Sequence, residues 1–180
     1  MKLIKKLSTR LYVIYSAIIA GGIAIDQLTK WLAVKFLLPV GTVPIIRDAL
    51  HLTYAENRGA AFGMLANHRW VFLLTSTVTI VAVGLYLYFG HASENILTGI
   101  SLSMIVSGGI GNMIDRIALG YVVDFIDFRL INFAIFNGAD SFVCVGAALL
   151  CLSLSIEIYR EYKLEKQKKA ERLSDKDDAL

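Results

Sequence analysis

The sequence predicts an α-helical integral membrane protein with four transmembrane helices. Hydrophobic residues make up 56% of the 180 residues and charged residues only 18%, whereas soluble domains average about 45–50% and about 25%. Long apolar segments alternate with polar ones, and each is near the ~20 residues that cross a bilayer as a helix. The 2 prolines, 14 glycines and 2 cysteines exclude collagen-like and disulfide-rich classes.

The basic residues predict how the chain is oriented. Four precede the first apolar segment and seven follow the last, namely Lys2, Lys5, Lys6 and Arg10, then Arg160, Lys163, Lys166, Lys168, Lys169, Arg172 and Lys176. Because basic flanks of transmembrane helices stay in the cytoplasm, both termini are expected there, which requires an even number of spans. A basic surface can also bind nucleic acid, but here the basic residues flank apolar segments, so no nucleic-acid partner is expected.

The first span is predicted over about residues 11–34. Its basic start and apolar middle also suit a signal peptide, but the segment is too long and lacks a small-x-small cleavage site. Asp26 and Lys30 lie near its outer end, four residues apart. This spacing favours an ion pair on one helix face, which either neutralises itself near the interface or holds a neighbouring loop beside a site.

Residues 35–68 hold both prolines, scattered charges and short β-like stretches. His51, Leu52, Thr53 and Tyr54 alternate in polarity, as in a strand with one solvated face. A structureless loop of this length is uncommon unless it is functional. We therefore expect a small extracytoplasmic β-rich cradle.

Three further spans are predicted. Residues 70–89 are uncharged with aromatic residues at both ends, as at membrane interfaces. Residues 96–114 end in the small-residue stretch SGGIGN, which permits close helix packing. Residues 137–159 form the last span. Between the last two spans, residues 115–136 carry several charges and are expected to be a second outer segment.

The last span and its tail complete the predicted organisation. Residues 1–160 are expected to form one membrane domain, and residues 161–180 a charged cytoplasmic tail that frays from helix into disorder. Cys144 and Cys151 lie seven residues apart in the last span, too far along one helix for a disulfide. Without a CxxC or Cys/His cluster no zinc site is expected, and both cysteines are predicted to be small core residues.

Polar residues collect at the outer ends of the spans. An ionisable side chain costs ~2.5–3.5 kcal/mol at the centre of a transmembrane helix, so each one needs a structural or functional reason. The clusters are Asp26/Lys30, Asn57/Arg58, Asn112/Asp115/Arg116, and Asp124 with Asn137/Asp140.

Each of these residues also has a structural interpretation. Asn137 suits a helix N-cap, with Asp140 three residues later at the positive end of the helix dipole. Asp115 is most simply a local charge partner of Arg116. For a lone Asp124, a loop or salt-bridge role is at least as good an explanation as catalysis.

Asp124 and Asp140 converge if the outer ends of the third and fourth spans are neighbours. Two close carboxylates cannot both ionise cheaply, so one keeps its proton near neutral pH. One can then activate water while the other protonates the leaving amine, which is the machinery of amide hydrolysis. Which aspartate holds the proton stays open, because a coupled pair titrates as a pair.

Two other classes of protein fit the same residues. A small transporter also uses ionisable groups within the membrane, but here they stay at one end instead of marking a path across it. A membrane assembly protein with purely structural carboxylates is the second alternative.

Five motifs, in order along the chain, resemble those of one known family. They are DQLTK at 26–30, ENRGAAFG at 56–63, GGIGNMIDR at 108–116, VVDFIDF at 122–128 and FNGADS at 136–141. Together they resemble the lipoprotein signal peptidase (signal peptidase II) family of bacterial membrane aspartyl peptidases. The resemblance extends to about Tyr159 and leaves out the tail.

The resemblance implies an endopeptidase that removes signal peptides from prolipoproteins by cleaving before the diacylglyceryl-modified cysteine. It implies that Asp124 and Asp140 are the catalytic dyad. Substrate-binding or supporting roles follow for Asn57, Asn112, Arg116, Asn137, Asp26 and Lys30. Residues 51–63 would cradle the substrate and residues 115–136 would cover the site.

The resemblance also implies a location and partners. We expect a multi-pass protein of the bacterial cytoplasmic (inner) membrane, with its active site at the outer face and no metal or other cofactor. The expected partners are the diacylglyceryl-modified prolipoprotein signal peptide, membrane lipid and a globomycin-type inhibitor. We expect a monomer.

Overall fold

A computed structural model describes residues 9–59, 69–89 and 95–177 of the chain. Four helices are present in these ranges: α1 (Thr9–Phe36), α2 (Arg69–Tyr88), α3 (Ile96–Ala118) and α4 (Gly138–Asp177). The strands are β1 (Thr42–Ile46), β2 (Leu50–Asn57) and β3 (Val122–Phe128), and a short 3-10 helix, Arg129–Ile131, follows β3.

All four helices are long and apolar enough to cross a membrane, which confirms the predicted fold class. Helix α3 is the central one, since 56% of its most apolar window is buried within the protein, against 6–17% for the others. It packs against α1, α2 and α4. Large apolar side chains such as Trp31, Val78 and Leu152 are exposed on the outer surfaces of the helices, as expected of segments that cross the hydrocarbon core of a bilayer.

Glycines let α3 approach its neighbours closely. A Cβ atom on Gly108 would overlap the carbonyl oxygen of Ala139, and one on Gly111 would lie 2.5 Å from Asp26 Oδ2. The SGGIGN stretch therefore acts as predicted, since small residues admit the start of α4 and the polar part of α1.

The three strands form an antiparallel sheet in the order β1-β2-β3. The predicted strand around His51–Tyr54 is confirmed as part of β2. A bulge between Leu52 and Ala55 interrupts the pairing of β2 with β3, and Ala55 then lies opposite Asp124. Buried apolar residues join the sheet to the end of α1: Ala33, Leu37 and Val123, with Leu52, Tyr54, Tyr121 and Phe125 packed around them.

Helix α3 is longer than predicted. It continues to Ala118, so Asp115 and Arg116 belong to the helix and not to the outer segment. Asp115 forms an ion pair with Lys30 of α1, and this partner offsets part of the cost of a charge at that depth. Residues 119–136, which include β3, connect α3 to α4.

Helix α4 is also longer than predicted. It runs without a break to Asp177, so residues 161–177 continue the helix and do not become disordered. Extending an existing helix is easier than starting one, since each added residue gains a hydrogen bond without a new nucleus.

Cys144 and Cys151 are not core residues. Both are exposed on α4 and neither forms a disulfide. The last span contacts protein over only part of its circumference, so a small apolar side chain can also face outward. Some predictions fall outside the described residues: those on Lys2, Lys5 and Lys6, on residues 60–68, and on the last three residues of the tail.

Candidate active site

Asp124 lies on β3 beside the end of β2, and its side chain is buried, with 2% of the residue exposed. Asn57 Nδ2 donates to Asp124 Oδ2 at 3.0 Å, and Asn137 Nδ2 donates to Asp124 Oδ1 at 2.6 Å. The carbonyl oxygen of the Asn57 side chain accepts the Gly59 amide at 2.9 Å. This contact fixes which end of the Asn57 amide faces the carboxylate.

Asp140 lies in the first turn of α4. Its amide donates to Asn137 Oδ1 at 3.0 Å, and its Oδ2 accepts the Asn137 amide at 3.2 Å. This reciprocal pair caps the helix, as predicted. Asn112 Nδ2 donates to the other oxygen, Oδ1, at 2.7 Å. Both carboxylate oxygens therefore have defined partners.

Asn137 connects the two carboxylates. Its backbone amide contacts Asp140, and its side-chain amide contacts both Asp124 and Asn112 Oδ1, the latter at 3.1 Å. Asn137 is completely buried. One asparagine thus brings together carboxylates that lie on different elements, β3 and α4.

The pKa of Asp124 is well above that of an ordinary aspartate. Burial is the largest cause, and the negative charge of Asp140 adds to it, which together raise the pKa to about 6. Hydrogen bonds from Asn57 and Asn137 and the charge of Lys30 act in the opposite direction. Near neutral pH this carboxyl group can both accept and release a proton, which acid–base catalysis requires.

A second polar group lies beside the first, around the ammonium of Lys30. Lys30 Nζ is 2.9 Å from Asp26 Oδ2, 3.0 Å from Asp115 Oδ2 and 3.0 Å from Asn112 Oδ1. The predicted Asp26–Lys30 ion pair is confirmed, and it is buried. Asn112 links this group to Asp140.

The sequence suggested that Asp115 pairs with its neighbour Arg116, but the ion pair of Asp115 is with Lys30. Successive residues on a helix point in different directions, so Asp115 reaches α1 while Arg116 lies toward α2. There the Arg116 guanidinium is 4.8 Å from the centre of the Phe72 ring. Arg58 forms an ion pair with Glu56 at 2.8 Å, and its guanidinium is 5.2 Å from the centre of the Tyr121 ring.

The contacts of Gln27 and Asp115 were not predicted from the sequence. Gln27 Nε2 lies 3.0 Å from Asp115 Oδ1 and 3.2 Å from both Asp26 Oδ2 and the Gly111 carbonyl oxygen. The three-residue spacing from Asn112 to Asp115 places both on one helix face and was a usable signal. No comparable spacing singles out Gln27.

A cavity of about 600 Å³ opens beside Asp140, a size typical of small-ligand sites, which span about 300–1,000 Å³. Its wall is mostly apolar: Phe72, Phe133, Ala134, Ile135, Phe136, Cys144 and Val145, with Asn57, Gly59, Arg116, Asp140 and Ser141 as the other lining residues. Asp124 does not line the cavity itself, but it accepts a hydrogen bond from Asn57, which does. Across residues 9–59, 69–89 and 95–177, no group of three or more histidine, cysteine or acidic side chains is arranged to hold a metal ion.

The fold and the site together define a class. Four spanning helices, two carboxylates from separate elements and an apolar cavity beside them are the features of a membrane aspartyl peptidase. Comparisons with known proteins identify which one. The model of the signal peptidase (SPase) II family, Peptidase_A8, matches residues 11–156.

Individual proteins agree with the family match. The chain is 51% identical to the lipoprotein signal peptidase of Caldanaerobacter subterraneus subsp. tengcongensis over 135 residues, 74% of this chain and 90% of the relative. It is 45% identical to that of Clostridioides difficile over 139 residues, 77% and 93% of the two chains. A solved bacterial membrane enzyme shares the fold with a TM-score of 0.75 and 29% identity, covering 86% of this chain and 93% of that chain. The chain belongs to the signal peptidase II family.

Proposed function

We propose that Asp124 and Asp140 are the catalytic pair with which this signal peptidase II removes signal peptides from prolipoproteins. The observation that carries the proposal is their shared contact with Asn137 beside an apolar cavity. The raised pKa of Asp124, about 6, supports it, because a pair with one proton supplies both a base and an acid.

The chemistry follows from one shared proton. The ionised carboxylate takes a proton from a water molecule, whose oxygen forms a bond to the scissile carbonyl carbon. The protonated carboxyl group donates to the carbonyl oxygen and stabilises the charge that develops there. When the carbon–nitrogen bond breaks, a proton passes to the leaving amine, and the pair returns to its starting state. Either aspartate can begin as the base.

Four neighbouring residues position the pair and the substrate. The amides of Asn57, Asn112 and Asn137 donate to the carboxylates, which holds each one in a fixed orientation. Arg116 lies in the cavity wall, where its guanidinium can donate to a peptide carbonyl oxygen.

Asp26 and Lys30 support the rim of the site. Their ion pair is buried and reaches Asn112 through the Lys30 ammonium, and Asn112 in turn contacts Asp140. We therefore expect them to act on the reaction through other residues and not by touching the substrate.

The substrate is a prolipoprotein, cleaved before its diacylglyceryl-modified cysteine. The phenylalanine-rich wall of the cavity suits the apolar end of a signal peptide or an acyl chain, both of which can enter from the bilayer. Strand β2 would cradle the chain, and residues 119–136 would cover it. A globomycin-type cyclic peptide would compete for the same cavity.

The protein would work in the bacterial inner membrane as a monomer. With four spans and basic residues at both ends, the termini lie in the cytoplasm and the sheet and carboxylates at the outer face. Residues 1–160 would form the peptidase domain, and the rest of the chain a cytoplasmic extension. A reporter fused to the C-terminus tests this, and an external reporter would contradict it.

The catalytic roles are tested with purified protein and a synthetic lipidated signal peptide. Asp124→Asn and Asp140→Asn should each abolish cleavage, while both variants still insert into membranes and fold. Asp127→Asn is the matched control, since Asp127 lies on the same strand but bonds Thr53 and Arg129 instead. Undiminished cleavage by either dyad variant would remove that residue from the mechanism.

A further inference from the structure

We infer that Asp115 is a positioning residue, which with Asp26 and Lys30 forms a tie that sets the separation of the backbone segments carrying Asp124 and Asp140. The inference rests on the catalytic roles proposed above. It assigns to Asp115 a function that its place beside Arg116 in the sequence does not suggest.

One end of the tie holds the strand. The Val123 amide donates to Asp115 Oδ2 at 3.1 Å, and Val123 immediately precedes Asp124. Both partners are buried, at 1% and 4% exposed. With the amide before it fixed to α3, the Asp124 backbone cannot rotate without breaking a buried hydrogen bond.

The other end holds the helix. The Ala139 amide donates to Asp26 Oδ1 at 2.8 Å, and Ala139 immediately precedes Asp140. The first amides of a helix have no partner within the helix, so a carboxylate from α1 satisfies one of them. Each proposed catalytic aspartate therefore follows a residue whose amide is bound by a carboxylate of the tie.

Lys30 joins the two ends. Its three ammonium protons match three acceptors, Asp26 Oδ2, Asp115 Oδ2 and Asn112 Oδ1. Gln27 Nε2 adds a second link between the carboxylates, through Asp115 Oδ1 and Asp26 Oδ2. Asp115 is thus held at both of its oxygens while it holds the strand.

A simple ion pair does not account for this arrangement. One carboxylate would neutralise Lys30, and a second buried carboxylate adds a desolvation penalty. The Val123 amide gives the second carboxylate a specific partner. Because a displacement of about 1 Å can reduce a rate about 100-fold, the tie affects turnover even though Asp115 faces α1 and not the substrate.

Position and charge can be separated with three variants. Asp115→Asn removes the charge but keeps one oxygen for the Val123 amide, while the hydrogen bond from Gln27 Nε2 to Oδ1 is lost. Asp115→Glu keeps the charge but moves the oxygens by one methylene, and Asp115→Ala removes both. The control is Asp127→Asn on the same strand.

The measurement is kcat and KM for a synthetic lipidated signal peptide, with thermal unfolding as the folding check. We expect Asp115→Glu and Asp115→Ala to lower kcat about 100-fold with little change in KM. Asp115→Asn and the control should retain most of the wild-type kcat. A variant that does not fold leaves the comparison to the other two.

The result that overturns the inference is the reverse order, with Asp115→Glu active and Asp115→Asn inactive, or an alanine variant with normal kcat. Asp124→Asn and Asp140→Asn are assayed alongside. If these two cleave normally, the proposed function fails. If they are inactive while all Asp115 variants turn over normally, only the tie is wrong.

Discussion

Asn137 and Asn95 perform the same structural task at opposite ends of the α3–α4 pair. Asn137 precedes α4 and accepts the Asp140 amide, and Asn95 precedes α3 and accepts the Leu97 and Thr98 amides. In each case the side-chain nitrogen then donates to other elements. Both asparagines therefore cap one helix and join it to a neighbour.

The difference lies in what surrounds each cap. Asn95 Nδ2 donates to Ser153 Oγ and to Glu157 Oε1, both at 2.6 Å. Among the residues that the structure describes, the carboxylate of Glu157 is therefore the one acidic group that this asparagine contacts. Around Asn137 two carboxylates from separate elements meet beside a cavity of about 600 Å³. Capping a helix is a structural role that both asparagines share. At Asn137, the presence of two carboxylates and of a cavity for a substrate makes acid–base catalysis possible.

The largest expected effect comes from exchanging each asparagine for alanine. Asn137→Ala removes the donor to Asp124 and the cap that orients Asp140, so we expect cleavage of a lipidated peptide to fall about 100-fold. Asn95→Ala should leave kcat nearly unchanged and lower the unfolding free energy by about 1 kcal/mol, as lost caps do. Equal losses of activity would mean that the two ends do not differ in function.

Removing Lys30 should have the next largest effect on cleavage and a larger effect on stability. Lys30→Ala leaves Asp26 and Asp115 buried without their cation, which should lower the free energy of unfolding by about 3–5 kcal/mol. Activity should fall by less than in either dyad variant. The control is Lys35→Ala on the same helix, because the Lys35 ammonium lies over the Trp31 ring at the surface. Chemical unfolding and cleavage assays on both variants measure the two effects.

The pH dependence of stability sharpens the comparison further. The pKa of Asp124 is raised to about 6 from an ordinary value of 3.8, so the folded state holds this proton more tightly than the unfolded state. The contribution is fully present below about pH 4 and is lost as the pH rises through about 6. Its size is about 3 kcal/mol at most.

Asp124→Asn removes that titration. The stability of the variant relative to the wild type should therefore increase from pH 4 to pH 7, as measured by thermal unfolding at several pH values. Glu157→Gln, at the other cap, is the comparison variant. Parallel curves for wild type and Asp124→Asn would show that Asp124 is not the group responsible.

The smallest effect concerns the two cysteines. Cys144 lines the cavity and Cys151 lies two helical turns further along α4. In single-cysteine variants, a globomycin-type peptide should slow alkylation of Cys144 and leave Cys151 unaffected. Equal protection of both, or of neither, would contradict binding in this cavity.

The sequence predicted the spans well because each is a long apolar segment, a local property. It placed the end of the third span too early because the partner of Asp115 is Lys30, on a helix far away in the chain. The exposure of the Cys144 and Cys151 side chains was not predicted, for a related reason. An apolar span does not reveal which of its faces meets protein and which meets lipid.

The contacts of the candidate site also fall into two groups, those that follow from local spacing in the sequence and those that depend on distant elements. The Asn137–Asp140 cap and the Asp26–Lys30 pair follow from three- and four-residue spacings, and both were predicted. The contacts from Asp115 to Val123 and from Asp26 to Ala139 depend on backbone amides of other elements. Every residue except proline has a backbone amide, so the sequence does not indicate which amides a carboxylate will bind. Only the folded structure shows these contacts.

The central claim is that Asp124 and Asp140 act as one unit, and double-mutant kinetics test it most directly. The measurement is kcat for Asp124→Asn, Asp140→Asn and the double variant on one lipidated signal peptide. Because residues that work as a unit are strongly non-additive, we predict the same residual rate in all three. A double variant whose loss equals the product of two partial single losses would show two independent contributions and contradict the shared-proton pair.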